Sequence, residues 1–292
     1  MPYTRVLYRK EGDRATITLN RPDKLNAIDD TMFLEMHQAL READADREVK
    51  LLIYEGAGAS FSAGADLSGT NTALVMPPDP RTRPFLNDLF QATVERRKLL
   101  EAIYDSPKMT IARVHGYCLG LGLDIAMMCE TIVATEDAVL GDPSIRLGLA
   151  TQNPLWTWRV GPRRAKELLL TGRYMTGAEA LRLGLVTIAC PKERLEDEVN
   201  IAAEGMIHRG GMGGYDSYIY GKLFNRATWD GAGLAAAWSM TAGLHGLSAI
   251  QRRGFRPDEF NFWNAREKSG MKGAIKERDA RVKQLFPWKK PS

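Results

Sequence analysis

The feature that most constrains the fold lies at residues 114–130, where a glycine-rich turn, a carboxylate and an apolar helical segment follow one another directly. Glycine lets a backbone pass close to a ligand, and the first N–H groups of a helix have no partner within the helix. Asp124 falls in the first turn of this segment. The pattern is typical of an anion-binding turn with an acid beside it, and a tightly packed helix start with a capping acid is the alternative.

The composition is that of a soluble globular protein with a large hydrophobic core. The chain has 292 residues, of which 44% are hydrophobic and 26% charged, and this suits one large domain or one and a half. The net charge of +4 is too small to indicate nucleic acid, and the basic residues form no run interleaved with aromatic ones. We therefore expect no nucleic-acid partner.

The cysteines and the N-terminal segment indicate a cytoplasmic chain without a metal. Cys118, Cys129 and Cys190 lack metal-type spacing, and their odd number favours reduced thiols. The N-terminal segment becomes charged before an apolar signal core could form, and no apolar run approaches the roughly 18 residues that a membrane span needs. The sequence predicts no metal site and no membrane association.

Apolar periodicity predicts strands that alternate with helices. The predicted strands, of which the first two form a hairpin, are 6–8, 15–19, 51–54, 109–114, 131–134 and 185–189. One predicted helix begins at 29 or 30, and four others cover 121–128, 165–170, 178–183 and 195–207. This order favours an α/β domain with parallel strand pairing.

Two segments interrupt the pattern. Residues 69–84 form a long irregular insertion of the kind that is usually a lid or a disordered loop. After the glycine-rich stretch at 209–214 only helical patterns follow. We therefore expect a core domain at 1–208, with binding and catalysis, and a helical region at 209–292 that packs on the core or on a neighbouring subunit.

A second glycine-bearing loop, at residues 58–68, also follows a predicted strand. Two such loops can each supply one backbone N–H group to the same ligand oxygen. Converging donors of this kind stabilise the enolate that develops from a thioester, by about 3 to 4 kcal/mol each when water is excluded.

Four ordered motifs, at 20–27, 61–67, 114–130 and 170–186, together resemble the enoyl-CoA hydratase/isomerase (crotonase) superfamily. The resemblance covers about residues 5–208, and the tail around 267–278 resembles the family's terminal helix more loosely. It implies an α/β fold built as a spiral of ββα turns, with a C-terminal helical region that forms trimers or dimers of trimers. It also implies an acyl-CoA substrate and no cofactor besides the coenzyme A that the substrate carries.

The resemblance further implies how the loops are used. The backbone N–H groups of Ala65 and Leu121 would form the oxyanion hole, although the family commonly has glycine where Leu121 stands. The positions implied in binding coenzyme A and substrate are Lys24, Asn26, Ala27, Ala63, Asp66, Leu67, Ser68 and Gly120.

The acid/base positions depart from the family pattern. Asp124 stands at the first of the two family acid positions, but Ser144 stands at the second, and a serine hydroxyl cannot accept a proton from water at neutral pH. Asp142 restores a second carboxylate if it points inward, and a loop acid that faces solvent is the alternative. Gln152 replaces the aspartate that several isomerases and a dehalogenase of the family use.

Other polar positions have both a structural and a functional interpretation. His115 is a core histidine or a base, and Glu130 is a structural ion pair or cap rather than a catalytic acid. The arginines at 146, 159, 163 and 164 either contact the phosphates of coenzyme A or form a solvated basic face.

These observations predict a lyase of the enoyl-CoA hydratase type. Asp124 would deprotonate the water that attacks the β-carbon, while Ser144 or Asp142 helps to hold that water. An enoyl-CoA isomerase, or a hydrolase of the same superfamily that cleaves a C–C or thioester bond, is the first alternative. A non-catalytic acyl-CoA-binding protein is the second.

Overall fold

The computed structural model describes residues 2–67, 86–151, 153–207, 216–250, 260–284 and 286. Its strands are β1 (Val6–Glu11), β2 (Arg14–Leu19), β3 (Leu51–Gly56), β4 (Met109–Val114), β5 (Tyr117–Leu119), β6 (Thr131–Thr135), β7 (Val139–Gly141), β8 (Met175–Thr176) and β9 (Ile188–Cys190). Its α-helices are α1 (Asp30–Ala45), α2 (Leu86–Asp105), α3 (Leu121–Met128), α4 (Leu155–Thr171), α5 (Gly177–Arg182), α6 (Leu195–Ile207), α7 (Asp216–Gly231), α8 (Leu234–Ile250) and α9 (Phe262–Lys283). Ser68, Gln152 and the insertion at 69–84 lie outside the described residues.

The strands form two sheets, and from β4 to β7 the chain alternates between them. One sheet has the order β1-β2-β3-β4-β6-β9, and the other has the order β5-β7-β8. β4 leads into β5 and then α3, and β6 leads into β7 and then α4. Each of these units contributes one strand to each sheet and then a helix. The α/β spiral of ββα turns that the resemblance implies is therefore confirmed.

The local sequence accounts for the elements that open the chain. Gly12, with φ of 61°, turns β1 into β2, and the two strands pair antiparallel as predicted. The Asp29 carboxylate accepts a hydrogen bond from the Met32 N–H and caps α1, which begins where the acids predicted it. From β2 onward the main sheet is parallel, and β3, β4 and β6 are almost entirely buried. Parallel strands covered on both faces need such continuous apolar runs.

The predicted strand at 185–189 is misplaced. The N–H groups of Leu185 and Val186 both donate to the Ala180 carbonyl, so these residues finish the turn that ends α5. Strand β9 begins only at Ile188. The predicted helix at 165–170 is the second half of α4, which is broken at Gly161, where φ is 78°.

After residue 215 the described chain contains helices alone. Leu234 and Trp238 of α8 belong to the main hydrophobic core, and α8 packs along α2. Phe262, at the start of α9, packs with Leu147 and Leu149. The C-terminal helices thus pack on the preceding part of the chain. No helix in the described ranges is long and apolar enough to cross a membrane.

Candidate active site

The two glycine loops lie side by side because each pairs briefly with the other. The Ser62 N–H donates to the Tyr117 carbonyl at 2.8 Å, and the Leu119 N–H donates to the Ser62 carbonyl at 3.0 Å. This short parallel ladder stops at Gly64, where φ is 97° and the N–H turns to the Ser62 hydroxyl at 3.1 Å. Beyond this point the two loops have backbone donors without an acceptor among the described residues.

The two donors implied for the oxyanion hole lie where the ladder ends. Ile28 pairs with the segment around Ala65 by accepting from the Asp66 N–H and donating to the Gly64 carbonyl, so the Ala65 N–H points to the opposite side. Leu121 opens α3, and its N–H has no acceptor within the helix. Neither N–H has an acceptor in the described ranges. A Cβ built on Gly64 would lie 3.6 Å from the Leu121 nitrogen, so the loops are close.

The pairing of β5 with β7 brings two acids to the same turn. Leu119 is opposite Gly141 in this parallel pair, and the Gly120 N–H donates to the Gly141 carbonyl at 2.9 Å. Neighbouring parallel strands end at the same edge of a sheet. Asp142 follows β7 and Asp124 lies in the first turn after β5, so both arrive at this edge.

Asp142 points into the protein. It is 6% exposed, and its Oδ1 accepts hydrogen bonds from the Ser144 N–H at 2.9 Å and from the Ser144 hydroxyl at 2.5 Å. The alternative of a loop acid that faces solvent is therefore wrong. Ser144 uses its hydroxyl to orient the Asp142 carboxylate.

Asp124 is the most perturbed carboxyl at this edge. It is 5% exposed, and burial raises its pKa from 3.8 to about 8. The negative charge of Asp142 is the second cause, whereas the Asn153 amide and the Arg96 guanidinium act in the opposite direction. Asp124 can therefore gain and lose a proton near neutral pH, which suits a general acid/base.

Sequence reasoning missed both Asn153 and Arg96. Asn153 is fully buried, and its Oδ1 accepts from the Leu155 N–H at 2.9 Å, at the start of α4. Arg96 is 4% exposed on α2, a helix that the sequence analysis did not predict. The apolar periodicity of residues 96–103 is the signal for this helix. Arg96 shares a helical face with the apolar residues three, four and seven positions later.

The predicted substrate-binding loop at 24–27 is fixed by its own hydrogen bonds. Lys24 is exposed, whereas Asn26 is fully buried. The Asn26 amide donates to the carbonyls of Ala57 and Ser60, and its Oδ1 accepts from the Arg21 N–H. The Asn26 side chain therefore ties the two loops together, while Lys24 leaves its charge available.

The other predicted binding residues are held by contacts with neighbouring parts of the fold. The Ala63 N–H donates to the Leu25 carbonyl, and the Ala27 carbonyl accepts from the Arg21 guanidinium. That guanidinium also pairs with Asp66 at 2.9 Å. Leu67 packs against the cluster that contains Phe262. Gly120 contributes its backbone to the turn itself, with φ of 49°.

Two further polar candidates, His115 and Glu130, make hydrogen bonds to backbone groups. The His115 Nε2 lies 2.8 Å from the Gly58 carbonyl oxygen, and burial lowers its pKa. Glu130 accepts from the backbone N–H and the hydroxyl of Thr110 and pairs with Lys222 at 2.9 Å. The structural interpretation of Glu130 is confirmed, whereas that of His115 stays a prediction, because its Nδ1 is buried without a hydrogen-bond partner among the described residues.

The four arginines do not form one phosphate site. Arg146 and Arg159 lie over a tyrosine and a tryptophan ring inside the fold, at 4.2 and 5.1 Å from the ring centres. The other two, at 163 and 164, are exposed. In the described ranges no group of three His, Cys, Asp or Glu side chains can hold a metal ion.

Comparison with known proteins agrees with this geometry. Residues 10–211 match the family model for enoyl-CoA hydratase/isomerase. A probable enoyl-CoA hydratase of Rhizobium meliloti (strain 1021) is 36% identical over 207 residues, which cover 70% of this chain and 76% of that protein. The crystal structure of an enoyl-CoA hydratase from Mycobacterium smegmatis superimposes with a TM-score of 0.82 at 28% identity, over 95% of this chain and 94% of that one.

An enoyl-CoA hydratase/isomerase from Xanthobacter autotrophicus Py2 superimposes with a TM-score of 0.80 at 29% identity, over 96% of this chain and 99% of that one. The residues matched by the family model include the two glycine loops and the β5–β7 edge. The chain belongs to the enoyl-CoA hydratase/isomerase family.

Proposed function

We propose that this protein is an enoyl-CoA hydratase, a lyase that adds water to an α,β-unsaturated acyl-CoA thioester or removes it again. A relative named as a probable enoyl-CoA hydratase and another named as a crotonyl-CoA hydratase support this activity. The observation that carries the proposal is the pair of buried acids, Asp124 and Asp142, beside the unpaired N–H groups of the two loops. An isomerase needs one carboxylate, so the second buried acid favours hydration.

In the proposed mechanism the thioester oxygen accepts hydrogen bonds from the N–H groups of Ala65 and Leu121. As water attacks the β-carbon, the electron pair of the double bond moves toward this oxygen and forms an enolate. Preorganised donors stabilise that charge by about 3 to 4 kcal/mol each in a site without water. Leu121 serves as well as glycine here, because only its N–H takes part.

Asp124 moves the proton in this mechanism. Its carboxylate accepts the proton that the attacking water loses, and then returns it to the α-carbon as the enolate collapses. A group with a pKa of about 8 can do both near neutral pH. Asp142, oriented by Ser144, holds the water against the β-carbon. Each cycle therefore returns Asp124 to its starting state.

The remaining substrate contacts belong to coenzyme A. The exposed Lys24 supplies a positive charge for its phosphates, and the backbone of Ala27, Ala63 and Asp66 lines the path to the oxyanion hole. Leu67 continues this path, and the role that the resemblance implies for Ser68 falls outside the described residues. Coenzyme A enters with the substrate, and the chemistry uses no further cofactor.

The C-terminal helices support assembly into a trimer or a dimer of trimers. Large apolar side chains of α7 and α8 are more than half exposed, namely Tyr220, Leu223, Phe224, Met240, Leu244 and Leu247. Large exposed apolar side chains in this number are typical of subunit interfaces. We place this region at 209–292, the catalytic core at 1–208, and the enzyme in the cytoplasm.

Loss of the conjugated enoyl-thioester absorbance on adding the protein to crotonyl-CoA tests the proposal. We expect turnover by the wild-type protein. Stabilisation of the protein by acyl-CoA without turnover of any enoyl-CoA would instead identify a non-catalytic binder.

We expect Asp142→Asn to shift the pH dependence of kcat/KM toward lower pH. The charge of Asp142 raises the pKa of Asp124, so its removal lowers that pKa. Asp124 then becomes ionised, and able to accept the water proton, at lower pH. In the wild type the rising limb should lie near pH 8. Initial rates of absorbance loss, measured across this range for both proteins, give the shift.

Ser144→Ala is the matched control for this shift. It removes the hydroxyl that orients Asp142 but leaves the Asp142 charge in place. We expect slower turnover with the rising limb at the wild-type pH. If the rising limb of kcat/KM lay at the same pH in the wild type and in Asp142→Asn, the charge of Asp142 would not act on the group that titrates.

A further inference from the structure

Arg96 occupies an apolar position on α2. It precedes Leu99, Leu100 and Ile103 by three, four and seven residues, so all four side chains share one helical face. The three apolar residues lie in the main core, and Arg96 itself is 4% exposed. Helix α2 packs on α3, the helix that carries Asp124, and Arg96 interacts electrostatically with Asp124. A guanidinium is thus buried next to the candidate active site.

Arg96 lacks the partners that other arginines of the chain have. Among the described residues, Asp124 and Asp30 are the acids that act on Arg96, and both act through space without a hydrogen bond. Arg97, the next residue, pairs with Glu101 at 2.8 Å and donates to Ser239 at 2.9 Å. Arg278, which is 8% exposed, pairs with Asp279 at 2.7 Å.

The nearby acids do not neutralise this charge. Asp124 and Asp30 act on Arg96 only through longer-range electrostatics, and burial lowers the pKa of Arg96 to about 10. Arg96 therefore remains a cation at neutral pH. A buried cation without a paired anion destabilises the folded protein. A ligand that brings an anion to this position would remove that destabilisation.

The position of Arg96 identifies which part of the ligand carries the anion. Asp124 reacts at the β-carbon in the proposed mechanism, so a group next to Asp124 faces the acyl chain. The phosphates of coenzyme A lie at the other end of the substrate. A guanidinium binds a carboxylate through two parallel hydrogen bonds, which makes it selective for a planar anion.

We infer that Arg96 binds a carboxylate at the far end of the acyl chain, so that the substrates are mono-CoA thioesters of unsaturated dicarboxylic acids. This inference rests on the proposed hydratase function and names its substrate class. Binding joins the substrate carboxylate to the guanidinium without any change in covalent bonds.

Two thioesters of equal chain length test the inference. Glutaconyl-CoA ends in a carboxylate, and pent-2-enoyl-CoA has a methyl group at that position. We expect the wild type to hydrate glutaconyl-CoA with a kcat/KM about tenfold or more above that for pent-2-enoyl-CoA. Arg96→Met, which keeps the bulk and removes the charge, should lower this ratio by about 30-fold or more.

Arg97→Met is the matched control, because it removes the same charge one residue away on the partly exposed face of α2. The ratio should stay at its wild-type value. If Arg96 acted only on the pKa of Asp124, Arg96→Met would shift the pH profiles of both substrates and leave their ratio unchanged, which would overturn the inference.

The ratio of kcat/KM for the two thioesters in the wild type tests the substrate class even if Arg96→Met fails to fold. Hydration of pent-2-enoyl-CoA as fast as, or faster than, glutaconyl-CoA would overturn the substrate class while the proposed function stands. Hydration of neither these two thioesters nor crotonyl-CoA would overturn the proposed function, and the substrate class with it.

Discussion

Asp124→Asn is expected to lower kcat for enoyl-CoA hydration by about 10²–10⁴-fold, the usual contribution of a general acid/base. The amide keeps the shape of the side chain but cannot accept the proton of the attacking water. Asp124 carries that proton alone in the proposed mechanism, and its pKa of about 8 reflects burial and the charge of Asp142. Initial rates of absorbance loss at saturating substrate measure the effect.

Asp197→Asn is the control for this variant. Asp197 is an exposed acid on α6, and its ion pair with Arg194 is also exposed. Surface pairs of this kind contribute little, so kcat should not change. An Asp124→Asn protein that is folded and as fast as the wild type would exclude Asp124 as the base.

Gly64→Ala is expected to lower kcat/KM by about 10²–10³-fold, the usual effect of losing one oxyanion donor. Gly64 has φ of 97°, and an added Cβ would lie 2.8 Å from the Leu119 carbonyl oxygen. The strand ladder would have to open to relieve this contact. The Ala65 N–H and the Leu121 N–H would then no longer converge on one oxygen.

Gly12→Ala separates this effect from general backbone strain. Gly12 also has a positive φ, of 61°, but no atom lies within 4 Å of an added Cβ. We expect a loss of stability of about 1–2 kcal/mol and an unchanged kcat/KM. Thermal unfolding of both variants would show whether each remains folded. A folded Gly64→Ala protein with wild-type kcat/KM would contradict the oxyanion hole.

Features that depend on neighbouring residues could be predicted from the sequence. Gly12 and the flanking strands predict the hairpin, and the acids near residue 30 predict the start of α1. The turn before Asp124 was predicted in the same way, since its glycines, acid and apolar helix are contiguous. The resemblance to the crotonase superfamily then implies that the N–H groups of Ala65 and Leu121 form an oxyanion hole.

Features that depend on distant pairing could not be predicted. Whether Asp142 points inward is decided by the pairing of β5 with β7, two short strands that the periodicity did not predict. Arg96 lies in α2, and its neighbour Asp124 is 28 positions away, across a contact between two helices. The error at 185–189 has a similar origin, because Leu185 and Val186 are apolar residues that the core buries in a turn.

Mass spectrometry of the thioester formed from crotonyl-CoA in ¹⁸O-labelled water tests the central claim most directly. We expect the wild type to form a product heavier than the substrate by one labelled water, and Asp124→Asn to lose this product. A product with the mass of the substrate would indicate double-bond migration, and free coenzyme A would indicate thioester hydrolysis. Either result, in place of the labelled hydrate, would contradict hydration by the two buried acids.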